Sequence, residues 1–292
     1  MRIVSLLPSA TEIVYALGLG EDLVGVTFEC DEPASARSDK TVVVGGRDTK
    51  GLTPGEIDAY VREQMAAGAD LYTLHAEALA GLDPELILTQ DLCRVCALPS
   101  DHVEDALDYL GCRADVLATM QAVAVRAGVA DRAAALTARL RDRLAAVERA
   151  VAGRPRPRIA VVEWVEPPFT AGHWVPDLVV AAGGEPVSAT ARARSVETTW
   201  AAIAADVPDI VVISPCGYHL DGAAAQAEAF AEHLPPGAAI WAIDADGIVV
   251  RPGPRLVDGV EALASIAHPD AVTAPPGSTR LIRPAQARAA VR

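Results

Sequence analysis

Apolar and polar positions alternate along this chain with two distinct periods. Short apolar runs are followed by stretches whose apolar residues recur every three or four positions. Residues 2–6 within "RIVSLL" read as a strand, residues 9–18 as a helix, and "DLVGVTF" and "TVVVGG" as further strands. "GEIDAYVREQMAAG" has helical spacing, with Ile57, Tyr60, Val61 and Met65 on one face. "PELILTQ" reads as a buried strand, "SDHVEDALDYLG" as a helix capped by Ser100, and "ADVLAT" as a strand. From Val129 to Val151 there is neither Gly nor Pro, and the run is rich in Ala, Leu and Arg. It predicts one helix of roughly 35 Å at 1.5 Å per residue. Gly153, Pro155 and Pro157 end it.

Alternation then resumes. "RIAVVEWV", "IVVISP" and "AAIWAID" read as strands; "VPDLVVAAGG", "SVETTWAAIAADVPD", "AAAQAEAFAEHL" and "RLVDGVEALASIAH" read as helices. The expected fold is α/β: two lobes, each a mainly parallel sheet flanked by helices, joined by one long interlobe helix. The expected boundaries are 1–128 for the first lobe, 129–152 for the helix, 153–270 for the second lobe and 271–292 for a loose Pro/Ala/Arg-rich tail. A helix is a stiff connector, so it implies lobes at a nearly fixed separation with a cleft between them.

Composition narrows the partners. Of 292 residues, 51% are hydrophobic, enough for two cores, but only 4% are aromatic, so each ring counts individually. The formal charge of −14 repels phosphate backbones and argues against nucleic acid. No stretch approaches an uninterrupted apolar span of about 18 residues, which argues against membrane insertion. The opening run is broken by Pro8, Ser9, Thr11 and Glu12. It therefore reads as strand, turn and helix rather than a signal peptide, giving a cytoplasmic expectation in which thiols stay reduced.

Four of the five cysteines follow predicted strands directly. Cys30 follows "LVGVTF", Cys93 and Cys96 follow "ELILTQ", and Cys216 follows "IVVISP". Carboxyl ends of parallel strands share the ligand side of an open sheet. A short C-x-x-C lets two sulfurs converge on one ion, so Cys30, Cys93, Cys96 and Cys216 form a candidate set for zinc or an iron–sulfur cluster. A thiol-lined ligand cleft without metal, a redox pair at Cys93 and Cys96, and plain buried packing are the alternatives. Cys112 precedes its strand and belongs on the far side.

"RIVSLLPSATEIVYALGLGEDLVGVTFECDEP", "LAGLDPELILTQ", "PPFTAGHWVPDLVVAAGG" and "AADVPDIVVISP" together resemble the cobalamin-binding proteins of bacterial vitamin B12 importers, over roughly residues 2–268. These belong to the helix-linked class of substrate-binding proteins that also serves siderophores, haem and metal ions. The resemblance implies a small-molecule ligand between the lobes, cobalamin or a related metal chelate, with a transporter as partner.

The candidate ligand residues are Ser9 and Thr11 at a helix start, where backbone N–H groups can hold an anion, and His75 before a helix-like turn. In the second lobe they are Trp164, His173, Trp174 and Tyr218, with His219 as a further donor. Flat rings stack on a planar chelate. Glu163 and Glu166 read as rim charges. The rival reading is a metalloenzyme or iron–sulfur protein on the same scaffold, with the cysteines as ligands and His75, His173 or Glu163 handling protons. No P-loop, G-x-S-x-G or HExxH occurs.

Overall fold

Strand β1 (Ile3–Ser5) is fully buried, and Pro8, with φ preset for helix, starts α1 (Pro8–Ala16) three residues later. In the computed structural model residues 1–89 and 116–285 are described. The chain divides into two compact units, Met1–Arg139 and Leu140–Arg292.

The first unit continues through β2 (Leu23–Thr27), α2 (Ala36–Asp39), β3 (Thr41–Gly46), α3 (Pro54–Ala66), β4 (Tyr72–Leu74), α4 (Ala76–Gly81), β5 (Leu86–Leu88) and α5 (Val116–Arg126). Its sheet has the order β4-β3-β2-β1-β5; β4 is antiparallel to β3 and the other pairs are parallel. The chain winds outward from β1 to β3, then returns to place β5 on β1's other side. That reversal is a topological switch point, and α1 leaves from it. Val4, Val43 and Val44 centre a core cluster with Leu79 and Leu82 packed on it. A reciprocal capping box fixes the start of α3: Thr53 accepts from the Glu56 N–H while Glu56 accepts from the Thr53 N–H.

Helix α6 (Ala130–Val151) matches the long helix expected from the sequence, and the boundary between units falls within it. Its Arg132 donates to the Leu17 and Gly18 carbonyls at 3.1 Å, where α1 ends and orphan carbonyls need donors. Gly153, with φ +71°, follows its last turn.

The second unit comprises β6 (Arg158–Val165), β7 (Pro168–Thr170), α7 (Val175–Ala181), β8 (Glu185–Pro186), α8 (Trp200–Ala205), β9 (Ile210–Ile213), α9 (Leu220–Ala229), β10 (Ala239–Ile243), α10 (Ala245–Ile248), α11 (Leu256–Ala267) and β11 (Thr279–Arg283). The order is β11-β10-β9-β6-β7, with β8 also paired to β6. β8, β6, β9 and β10 run parallel, and β7 and β11 are antiparallel to their neighbours. The chain passes from β6 to β8 on one side and then crosses to β9 on the other. The second switch point therefore lies between β6 and β9. The core is built from Val162, Val211, Ile213, Ile203 and Ile240, among others.

Several local readings are corrected. Val116–Thr119, expected as a strand, begins helix α5, which buries Met120, Val123 and Ala124 at helical spacing. A short apolar run is ambiguous between the two periods, and the residues beyond it settle the matter. Residues 195–199 are not helical: Thr199 caps α8 by accepting from the Ala202 N–H, and Glu197 bridges Phe169. The expected loose tail contains β11, which pairs along β10. Strand β5 is only three residues long, with Ile87 44% exposed, so it is not the buried strand expected. Helix α3 forms, but none of its residues is buried and Met65 is exposed. The helix expected at 100–111 lies outside the described residues.

Candidate functional site

Strands β6, β9 and β10 end side by side, and the three segments leaving that edge are tied to one another. The Cys216 N–H donates to the Glu163 carbonyl at 3.1 Å, and the Asp246 N–H to the Tyr218 carbonyl at 3.1 Å. The switch point is thus a defined surface rather than three independent loops.

Two aromatic side chains occupy it. Trp164 lies near the end of β6 and Tyr218 in the turn after β9; their ring centroids are 5.9 Å apart and the planes are inclined at 55°. Tilted pairs of this kind are favoured by the ring quadrupoles. Trp164 Nε1 donates to the Glu166 carbonyl at 3.1 Å, which fixes the indole. Both rings are half-buried, so each keeps part of its surface accessible. Burial pushes the Tyr218 phenol above its ordinary value, leaving it a protonated donor.

Next to Tyr218, the His219 Nδ1 lies 2.8 Å from Asp244 Oδ1. Asp244 Oδ1 also accepts from the Gly247 N–H at 3.2 Å, so its position is set by the backbone of α10. Arg251 pairs with Asp246, and Arg255 lies 4.0 Å from Asp244 Oδ2. Sequence reasoning missed this acidic and basic set. The available signal was "AIDADG", two aspartates directly after an apolar strand.

A second aromatic pair follows β7. His173 and Trp174 have centroids 5.8 Å apart, and Trp174 Nε1 donates to the Val249 carbonyl at 2.8 Å. His173 has φ +50°, an uncommon conformation for a residue with a side chain, and backbone bonds to Ala193 and Arg192 hold it there. Burial, then the charge of Arg194, depresses the His173 pKa and favours the neutral ring.

Glu163 is not the rim charge expected. It is 8% exposed and accepts from the Gly172 N–H at 3.1 Å and from the Ser195 hydroxyl. Burial raises its pKa, opposed by those two bonds. It ties the end of β6 to the segment carrying His173 and Trp174. Glu166 is exposed, as a rim charge should be.

In the first unit Ser9 and Thr11 are buried on the opening turns of α1. Thr11 Oγ1 lies 3.1 Å and Thr27 Oγ1 3.6 Å from the sulfur of Cys30, which has no solvent exposure. This is a packed, hydrogen-bonded thiol. His75 stands apart between β4 and α4, as the N-cap residue of α4: its N–H donates to the Val43 carbonyl and its ring lies over Gly45. Cys216 is exposed in the turn after β9. Cys93, Cys96 and Cys112 lie outside the described residues. The two described thiols therefore give no support to a cysteine-bound zinc or iron–sulfur centre.

The two sheets, each with a switch point and with side chains gathered at its carboxyl edge, define a two-unit α/β binding protein. The family model for periplasmic binding proteins matches residues 3–240, and the chain belongs to that family. A cobalamin-binding protein of Halobacterium salinarum is 27% identical over 91% of this chain and 69% of its own length. A periplasmic heme binding protein from Pseudomonas aeruginosa superimposes with a TM-score of 0.64 at 23% identity, covering 94% of this chain and 96% of that one. The periplasmic vitamin B12 binding protein BtuF of Vibrio cholerae gives 0.58 at 21% identity, covering 90% and 95%. At these identities the two structures speak to fold. Among the described residues no helix is long and apolar enough to cross a membrane.

Proposed function

We propose that this chain is a substrate-binding protein for a metal chelate of the cobalamin or haem kind, with cobalamin the first candidate. One observation carries the reading: the Trp164–Tyr218 pair stands at the β6/β9 switch point with both rings part-exposed. A planar macrocycle gains most from flat, rigid rings that lose little entropy on binding. The names of the relatives support the class. Tyr218 and the polar set of His219, Asp244 and Asp246 supply hydrogen bonds for a polar periphery such as the amides of a corrinoid. An importer of such chelates is the corresponding partner. Isothermal titration of the full chain with aquocobalamin and with ferric haem tests this. Saturable binding of one chelate per chain is expected for at least one of them. Heat no greater than dilution for both would overturn it.

A further inference from the structure

Residues 189–198 form a strap laid along β7 and the turn that follows it. The Thr198 N–H donates to the Pro168 carbonyl at 2.8 Å, and the Thr170 N–H to the Val196 carbonyl at 2.9 Å. Beyond β7, the His173 N–H donates to the Ala193 carbonyl at 2.6 Å and the Arg192 N–H to the His173 carbonyl at 2.8 Å. This last pair holds His173 at φ +50°. Such a conformation costs a residue with a side chain free energy, and it persists only where the surroundings over-determine it. The strap is tied inward by Ser195, whose hydroxyl donates to the buried Glu163 carboxylate; the other carboxylate oxygen accepts from the Gly172 N–H at 3.1 Å. Strap and turn are thus pinned to β6 at one side chain. These contacts close a circuit. Trp164 follows Glu163 and packs against Tyr218. The Tyr218 carbonyl accepts from Asp246 at the start of α10, and the Val249 carbonyl at its end accepts from Trp174 Nε1. Trp174 adjoins His173, and the strap leads from His173 back to Glu163. Both aromatic pairs, each half-buried, are therefore members of one ring of contacts around the carboxyl edge.

We infer that the two aromatic pairs form a single ligand surface and that Glu163 is its positioning residue. By holding Gly172 and Ser195, it sets where His173 and Trp174 stand relative to Trp164 and Tyr218. The inference rests on the function proposed above. Glu163 acts through the turn and the strap, not by touching the ligand. The role needs two hydrogen-bonding atoms at a fixed spacing, and a glutamine supplies them. Its carbonyl accepts from Gly172, and its amide donates to the Ser195 hydroxyl, which can also accept.

The test is calorimetric titration of the full chain with whichever of aquocobalamin and ferric haem the parent binds, with a urea midpoint for every variant. Glu163→Ala should weaken binding about tenfold, and Ser195→Ala, which removes only a hydroxyl, about fivefold. Glu163→Gln should stay within about threefold of the parent, since it keeps the geometry. The control is Asp209→Ala, which removes the acceptor of the Arg158 N–H at the opposite, amino end of β6. It should lower the midpoint and leave affinity unchanged. Should Glu163→Ala fail to fold, Ser195→Ala decides. Parental affinity in folded Ser195→Ala would overturn the inference. So would Glu163→Gln binding as weakly as Glu163→Ala, or Asp209→Ala losing as much affinity as Ser195→Ala, because affinity would then follow charge or bare stability. Each of these results leaves the proposed function standing. A parent that binds neither chelate would overturn both.

Discussion

At Gly172 a single added methyl group meets backbone. An ideal Cβ there would lie 2.4 Å from the Ser195 nitrogen and 2.7 Å from the Ala193 carbonyl oxygen. Neither can yield as a side-chain tip would, so Gly172→Ala should cost about 1–3 kcal/mol, read as a lowered midpoint in urea. An unchanged midpoint would show that the two segments are not in contact. The Glu163 carboxyl below it carries a pH signature. Its native pKa is raised, so the folded chain holds this proton to higher pH than the unfolded chain does. Stability therefore falls as pH climbs from the ordinary carboxylate value of about 4.3 to the raised native one, then levels off. Glu163→Gln should remove that decline, so the variant gains on the parent across the window; parallel urea-midpoint profiles for the two would contradict it. The sequence marked Glu163 as a strand-end rim charge or, in the rival enzyme reading, a proton carrier. Its burial depends on Gly172 and on Ser195, 32 residues away, which no local pattern reveals. Trp164 and Tyr218 could be named as candidates from the sequence because each adjoins a clear strand end. Cys30 was placed correctly after its strand, but its two hydroxyl partners come from separate segments.

Among elements, legibility followed length and uniformity. α6 spans 22 residues without Gly or Pro and could be read almost to the residue. The start of α5 was misread because four apolar residues suit either period. β11 was missed because "STRLIR" is short, charged and bounded by prolines, and only pairing with β10 makes it a strand. Its role is testable. Ile282 packs against the second unit's core, and Arg283 donates to the Pro235 carbonyl at 2.7 Å. Ending the chain after Pro276 would strip β10 of its outer neighbour and expose a paired edge. The truncated protein should melt lower and associate on concentration, seen by light scattering; a monodisperse protein with an unchanged midpoint would show that β11 is ornamental. Thr199→Ala removes the cap of α8 and should cost about 1 kcal/mol in the same urea assay, while Thr199→Ser should retain most of it. Equal losses in the two variants would contradict a capping role.

For the whole molecule, two parallel sheets follow from strand–helix alternation, and each topology puts a switch point at the carboxyl edge of its parallel strands. That rule points to the carboxyl edges as candidate ligand surfaces before any side chain is considered. The acidic balance, 39 Asp and Glu against 25 Lys and Arg, remains consistent with a small neutral or cationic ligand rather than a polyanion. The central claim is that the β6/β9 edge holds a planar metal chelate on Trp164 and Tyr218. The most direct test is the dissociation constant for cobalamin, by titration calorimetry, of the parent and of the Trp164→Ala/Tyr218→Ala double variant, with circular dichroism confirming that both are folded. Loss of two stacking faces should weaken binding about tenfold or more. A folded double variant with the parent's affinity would contradict the account.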